Sequence, residues 1–137
     1  MTNLLSRQSN KKQYQTPLLF VHGQWFGGWC WVENYFTFFN DRGFDTHAID
    51  LGQRSLMPFT GVGRYIDELA EAIAQMPAAP LLIGHGSGAN LILRYIAAKP
   101  KTVSGACLLA PLPNKAELWN SNFQKQHKLT SRLLFNL

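Results

Sequence analysis

Cysteine is scarce in this chain, with only Cys30 and Cys107. Two thiols are too few for a disulfide framework, and neither lies in the close pair that holds a metal ion. Charge is scarce as well: 15% of residues are charged against 46% apolar, which excludes an extended, self-repelling polymer and favours a folded core. No apolar run approaches the roughly 20 residues that cross a bilayer, and residues 1–16 hold no stretch of signal-peptide length. A cytoplasmic protein without a membrane partner is expected. Acidic residues are nearly missing from both ends. Residues 1–16 carry Arg7, Lys11 and Lys12 with no acid, and 114–137 set Lys115, Lys125, Lys128 and Arg132 against Glu117 alone. The middle, with six basic and seven acidic side chains, is close to neutral. The net charge of +5 therefore belongs to the ends rather than to one face of the fold, and this argues against a nucleic-acid partner.

What is present is an alternation. At 137 residues the chain can form one domain with a real core. A polar, flexible arm is expected over 1–16. Pro17 then opens Leu18-Leu19-Phe20-Val21, a short continuous apolar run of the kind buried on both faces of a parallel sheet. Trp29, Val32, Tyr35, Phe36 and Phe39 suit one face of a helix that Arg42-Gly43 stops. Phe44–Ile49 reads as a second strand, and 52–63 as a loop rich in Gly, Pro and Ser. Tyr65, Ile66, Leu69, Ala70, Ile73 and Ala74 then recur at the three-and-four spacing of an amphipathic helix. A third strand at Leu81–Ile83, a third helix at Ala89–Ala98 and a fourth strand at Val103–Leu109 complete the series. Such alternation argues for a parallel sheet covered on both faces. Residues 114–137 break the rhythm and suggest a basic helical tail or a partial lid.

The chemistry-bearing residues lie where strands end. His22-Gly23-Gln24-Trp25-Phe26-Gly27-Gly28-Trp29-Cys30-Trp31 follows the first strand, Asp50-Leu51-Gly52-Gln53-Arg54-Ser55 the second, and Gly84-His85-Gly86-Ser87-Gly88 the third. The last has the layout of a nucleophile elbow, a tight strand-turn-helix with small residues two before and two after its central position. Gly84 and Gly88 meet that need if the centre is residue 86, which is glycine.

These three motifs, in this order, resemble the α/β-hydrolase superfamily over residues 17–113, and the Trp-Cys-Trp after His-Gly is most similar to its small esterase and hydroxynitrile-lyase-like branch. The resemblance implies a truncated α/β-hydrolase fold of class α/β, with a mainly parallel sheet of about four strands flanked by helices. It also implies an order in which the first strand lies between the second and third, with the fourth outside the third at an edge. An apolar edge invites pairing, so a homo-oligomer or a partner chain is expected. By the same resemblance the amides of Gln24 or Trp25 and of Ser87 donate to an oxyanion hole. His22, Gly23, Gly84, His85 and Gly88 complete the motifs.

The departures matter equally. Gly86 takes the nucleophile position without a reacting atom. Ser87 could substitute only in a shifted turn, with the bulky His85 two before it; a helix cap or amide donor is the simpler reading. The family's acid and histidine follow later strands, which fall past residue 137. His127, the only histidine after the elbow, lies in the basic tail. Asp50 is expected to shape its loop, and His22 and His85 to pack beside the turn rather than bind metal. The expected function is esterase-like by resemblance, acting on small apolar carboxylic esters without a cofactor, and impaired at residue 86. The alternative is a non-catalytic ligand-binding or protein-interaction module on the same scaffold.

Overall fold

The computed structural model describes residues 2–51 and 62–111. The basic tail expected over 114–137, with His127, lies outside them, as does most of the loop expected over 52–63. Five strands form one sheet: β1 (Asn3–Arg7), β2 (Leu18–Val21), β3 (Thr46–Asp50), β4 (Leu81–His85) and β5 (Gly105–Leu109). The spatial order is β1-β3-β2-β4-β5. The four strands β2 to β5 run parallel, and β1 pairs antiparallel with β3.

The centre of the sheet is its most apolar strand. All four residues of β2 are buried, and their alternation divides the core into two layers. Leu19 and Val21 face α2 (Val62–Ala74) and α3 (Ser87–Ala98), packing with Leu69, Ile73, Leu82, Leu91, Ile92 and Tyr95. Leu18 and Phe20 face the other way, onto Trp31, Phe36, Ala48 and Ile83. The helical spacing expected from Tyr65 onward is realised in α2, and α3 turns Leu91, Ile92 and Tyr95 inward. Lys99-Pro100 ends α3, as a proline that cannot continue the ladder requires.

Two segments differ from the sequence reading. The arm expected over 1–16 contains β1, whose residues from Asn3 to Arg7 pair with Asp50 back to Thr46. Only Leu4 and Leu5 are apolar there, one packing on each core layer. An outer strand is held mainly by its backbone ladder, so its side chains give little periodic signal. The expected single helix of the aromatic segment is instead a change of pitch. Gly28–Trp31 winds as a 3₁₀ turn, Val32–Phe36 as a π turn, and only α1 (Thr37–Asn40) is α-helical. The changing pitch re-phases the side chains: Trp31 and Phe36 are buried, while Trp29 is 62% exposed. Among the described residues no helix is long and apolar enough to cross a membrane.

Candidate functional site

The parallel strands bring the first and third motifs, with Asp50 and Leu51 of the second, together at their C-terminal ends, where ligands bind in open α/β sheets. β4 carries Gly84 opposite Val21 of β2 and Leu108 of β5, then turns sharply through Gly86 into α3. Close packing surrounds that turn. A Cβ on Gly84 would lie 2.5 Å from Ile92 Cδ1 and 2.9 Å from the Ala89 backbone. One on Gly88 would lie 2.5 Å from the Val21 carbonyl oxygen and would also press on that of His22. Gly86 differs, since a Cβ there would meet nothing within 4 Å. Its backbone sits at φ 57° and ψ −123°, in the positive-φ region that glycine enters without a Cβ penalty. The Gly86 N–H donates to Leu109 O at 3.0 Å, and its carbonyl accepts from the amides of Ala89 and Asn90.

Ser87 opens α3, so its amide and that of Gly88 have no acceptor within the helix. Its hydroxyl oxygen accepts the Gln24 N–H at 2.6 Å, which stitches the turn after β2 to the turn after β4. The first of these turns is tight, with Phe26 N–H donating to Gly23 O at 3.2 Å. Trp25, at its tip, holds φ at 71° and leaves its indole 92% exposed. A bulky residue at positive φ is strained, and such strain gathers at ligand sites.

The charged and aromatic groups nearby have structural partners. His22 is buried, and its Nε2 accepts the Leu51 N–H at 2.9 Å. That bond makes Nδ1 the protonated nitrogen, donating to Gly23 O at 2.8 Å. The 3.9 Å approach of Nε2 to Asp50 is then a neutral ring beside a carboxylate rather than an ion pair. Asp50 Oδ1 accepts the Gly28 N–H at 3.1 Å, where the aromatic segment begins to wind. His85 is exposed and meets the Phe26 ring edge-on at 6.0 Å. Cys30 is half-buried, and burial pushes its thiol above the ordinary value. Among the described residues no three His, Cys, Asp or Glu side chains gather as a metal site would need.

A cavity of about 440 Å³ lies beside the elbow, within the size range of small-molecule sites. Residues 22–26 and Leu51 line one side, Tyr65 of α2 another, and Ser87, Gly88, Asn90, Leu91 and Arg94 of α3 a third. Gly86 is not in its wall. The sequence reading named His22, Gly23, Gln24, Trp25, Ser87 and Gly88 among these. It placed Tyr65 on a helix face, and it missed Asn90, Leu91 and Arg94. The signal for those three was the spacing Ser87, Asn90, Leu91, Arg94, one stripe along a helix.

The profile of the alpha/beta hydrolase family matches residues 18–135, spanning β2, the elbow and β5. The chain belongs to the α/β-hydrolase family. Solved structures of the same fold include the monoacylglycerol lipase of Paleococcus ferrophilus, which is 19% identical with a TM-score of 0.70, over 96% of this chain and 51% of the lipase. The epoxide hydrolase of Bacillus megaterium is 22% identical with a TM-score of 0.69, over 95% of this chain and 47% of the enzyme. A structure reported with the carboxylesterases of Nitrososphaera gargenis is 17% identical with a TM-score of 0.71, over 94% and 49%. This α/β-hydrolase chain thus spans about half the length of the structures it matches. No relative was found among curated proteins.

Proposed function

We propose that this α/β-hydrolase chain holds the carbonyl of a small ester in an esterase-like site and forms no acyl-enzyme at residue 86. The observation that carries this reading is the Gly86 backbone, held at φ 57° and ψ −123° with open space where a Cβ would point. A covalent route needs an oxygen or sulfur on that vector and a base to take its proton. Glycine offers neither bond nor proton. The two histidines beside the turn do not replace the base: His22 spends both ring nitrogens on backbone partners, and His85 packs on Phe26.

Polarisation of a carbonyl needs less. The amides of Gln24 or Trp25 and of Ser87 act as the oxyanion hole, with the positive end of α3 behind them. One of these donors is already engaged, since Gln24 N–H is bonded to the Ser87 hydroxyl. A bound carbonyl oxygen must displace that hydroxyl, exchanging one hydrogen bond for another. The same observation favours a second reading, a ligand-binding module that performs no reaction. The two readings separate on the ligand, since only the first requires a carbonyl oxygen at the Gln24, Trp25 and Ser87 amides.

The test combines binding with hydrolysis. Titration of ¹⁵N-labelled protein with 2-hexanone, an inert carbonyl, should shift the amides of Gln24, Trp25 and Ser87. Hydrolysis of p-nitrophenyl butyrate should stay near the rate of the buffer alone. Ser87→Ala, which frees the Gln24 amide, should tighten ketone binding several-fold, because a neutral hydrogen bond is worth about 0.5–1.5 kcal/mol. Sustained turnover abolished by Ser87→Ala would overturn the reading, and so would silence at those three amides.

A further inference from the structure

We infer that the cavity beside the elbow selects acyl ligands bearing a second, free carboxylate, which Arg94 binds. The inference rests on the ester-binding reading above and names the substrate class of that site. Five residues of α3 line the cavity, Ser87, Gly88, Asn90, Leu91 and Arg94, and apart from the glycine they grade from polar through apolar to cationic. At the elbow end stand the hydroxyl of Ser87 and the amide of Gln24. Leu91 and, across the cavity, Leu51 and the Tyr65 ring supply apolar wall. At the far end is the Arg94 guanidinium, exposed to solvent and engaged in none of the ion pairs formed among the described residues.

The arrangement is specific in charge and in length. A cavity meant for a wholly apolar acyl chain gains nothing from a guanidinium in its wall. Arginine offers a planar fork of donors that fits a carboxylate with two parallel hydrogen bonds. Ser87 and Arg94 are seven residues apart, about 10 Å along a helix at 1.5 Å per residue. Helical side chains lean toward the N-terminal turn, which shortens the gap between donor groups to the reach of a four-methylene spacer. A half-ester of a six-carbon diacid therefore fits, with its ester carbonyl at the Gln24 and Ser87 amides and its carboxylate at Arg94. Among the described residues that line the cavity, Arg94 is the one cation.

The experiment is a comparison of monomethyl adipate with dimethyl adipate, titrated into the ¹⁵N-labelled full chain and into Arg94→Gln and Arg94→Lys. The half-ester should bind about tenfold more tightly than the diester, the scale of one charge-assisted hydrogen-bonded pair. Arg94→Gln should erase that preference, so that half-ester and diester bind alike, and Arg94→Lys should keep part of it. Raising salt should narrow the gap, because an exposed pair is screened. Equal binding of the two ligands, with the Gln24 and Ser87 amides still shifting, would overturn the carboxylate inference and leave the ester site standing. So would a preference that survives Arg94→Gln. If neither ligand moves those amides, the ester-binding reading fails, and the carboxylate inference falls with it.

Discussion

Three glycines within five residues face very different surroundings in the turn after β4. At Gly88 an added methyl group would press on two main-chain carbonyls, which cannot move without disturbing β2. Overpacking typically costs about 1–3 kcal/mol and occasionally more, and here the contact is with main-chain atoms that cannot rotate away. At Gly86 the methyl group has room, and the cost is backbone strain alone, about 1–3 kcal/mol. Thermal unfolding should accordingly rank Gly88→Ala well below Gly86→Ala, and equal melting temperatures would contradict the geometry described. His22 makes a second prediction at this scale. Its Nε2 is the acceptor for the Leu51 N–H, so His22→Ala strands a main-chain donor and should cost about 1–3 kcal/mol. Hydrogen exchange at the Leu51 amide should quicken in that variant; an unchanged exchange rate would mean the bond contributes little. The spacing of Gly84 and Gly88 was legible in sequence because close approach restricts residue type. Arg94 and Asn90 were not, because polar residues on a helix look alike whether they face water or a cavity.

The N-terminal segment is fastened to β3 by more than its ladder. Ser6 Oγ lies 2.8 Å from His47 Nδ1, Lys12 Nζ lies 2.7 Å from Asp45 Oδ2, and the Ser9 N–H donates to Asp45 Oδ1. Burial lowers the pKa of His47, assisted by the Lys12 charge and opposed by Asp45. The folded protein therefore resists protonating a ring that the unfolded chain protonates readily. Stability should fall as pH drops through about 6.5, the ordinary histidine value, and level off below the depressed folded one. For Asp45, burial alone would raise the pKa, but the Lys12 bond and the Ser9 amide outweigh it and hold the carboxyl below its usual range. Its contribution persists above that range and is lost at lower pH, as acid titrates the folded carboxylate. Urea midpoints at about pH 7.5 and 5.5 test the histidine part: His47→Gln should flatten the difference, and a midpoint that rises on acidification would refute it. None of this clamp was legible in the sequence. The apolar runs of β2 and β4 announce themselves, whereas β1 offers two leucines among polar neighbours. The aromatic segment misled differently, since residues spaced for one regular helix are held by three successive pitches.

At the scale of the molecule, the expected placement of β2 between β3 and β4, with β5 outside β4, is the order observed. That order was implied by the resemblance to the α/β-hydrolase superfamily, which the motifs at the strand ends carry. Among the described residues β5 has a strand on one side only, and Ala106 and Cys107 within it are exposed. An unpaired edge of this kind favours association, and sedimentation at micromolar concentration should detect species larger than the 15.5 kDa chain; a single monomeric boundary would count against it. The central claim, an elbow whose centre bears no nucleophile, is tested most directly by exposing the purified protein to a fluorophosphonate and weighing it intact, with Ser87→Ala alongside. The account predicts the unmodified mass for both. A stoichiometric adduct that disappears in Ser87→Ala would make Ser87 an activated nucleophile, and would contradict it.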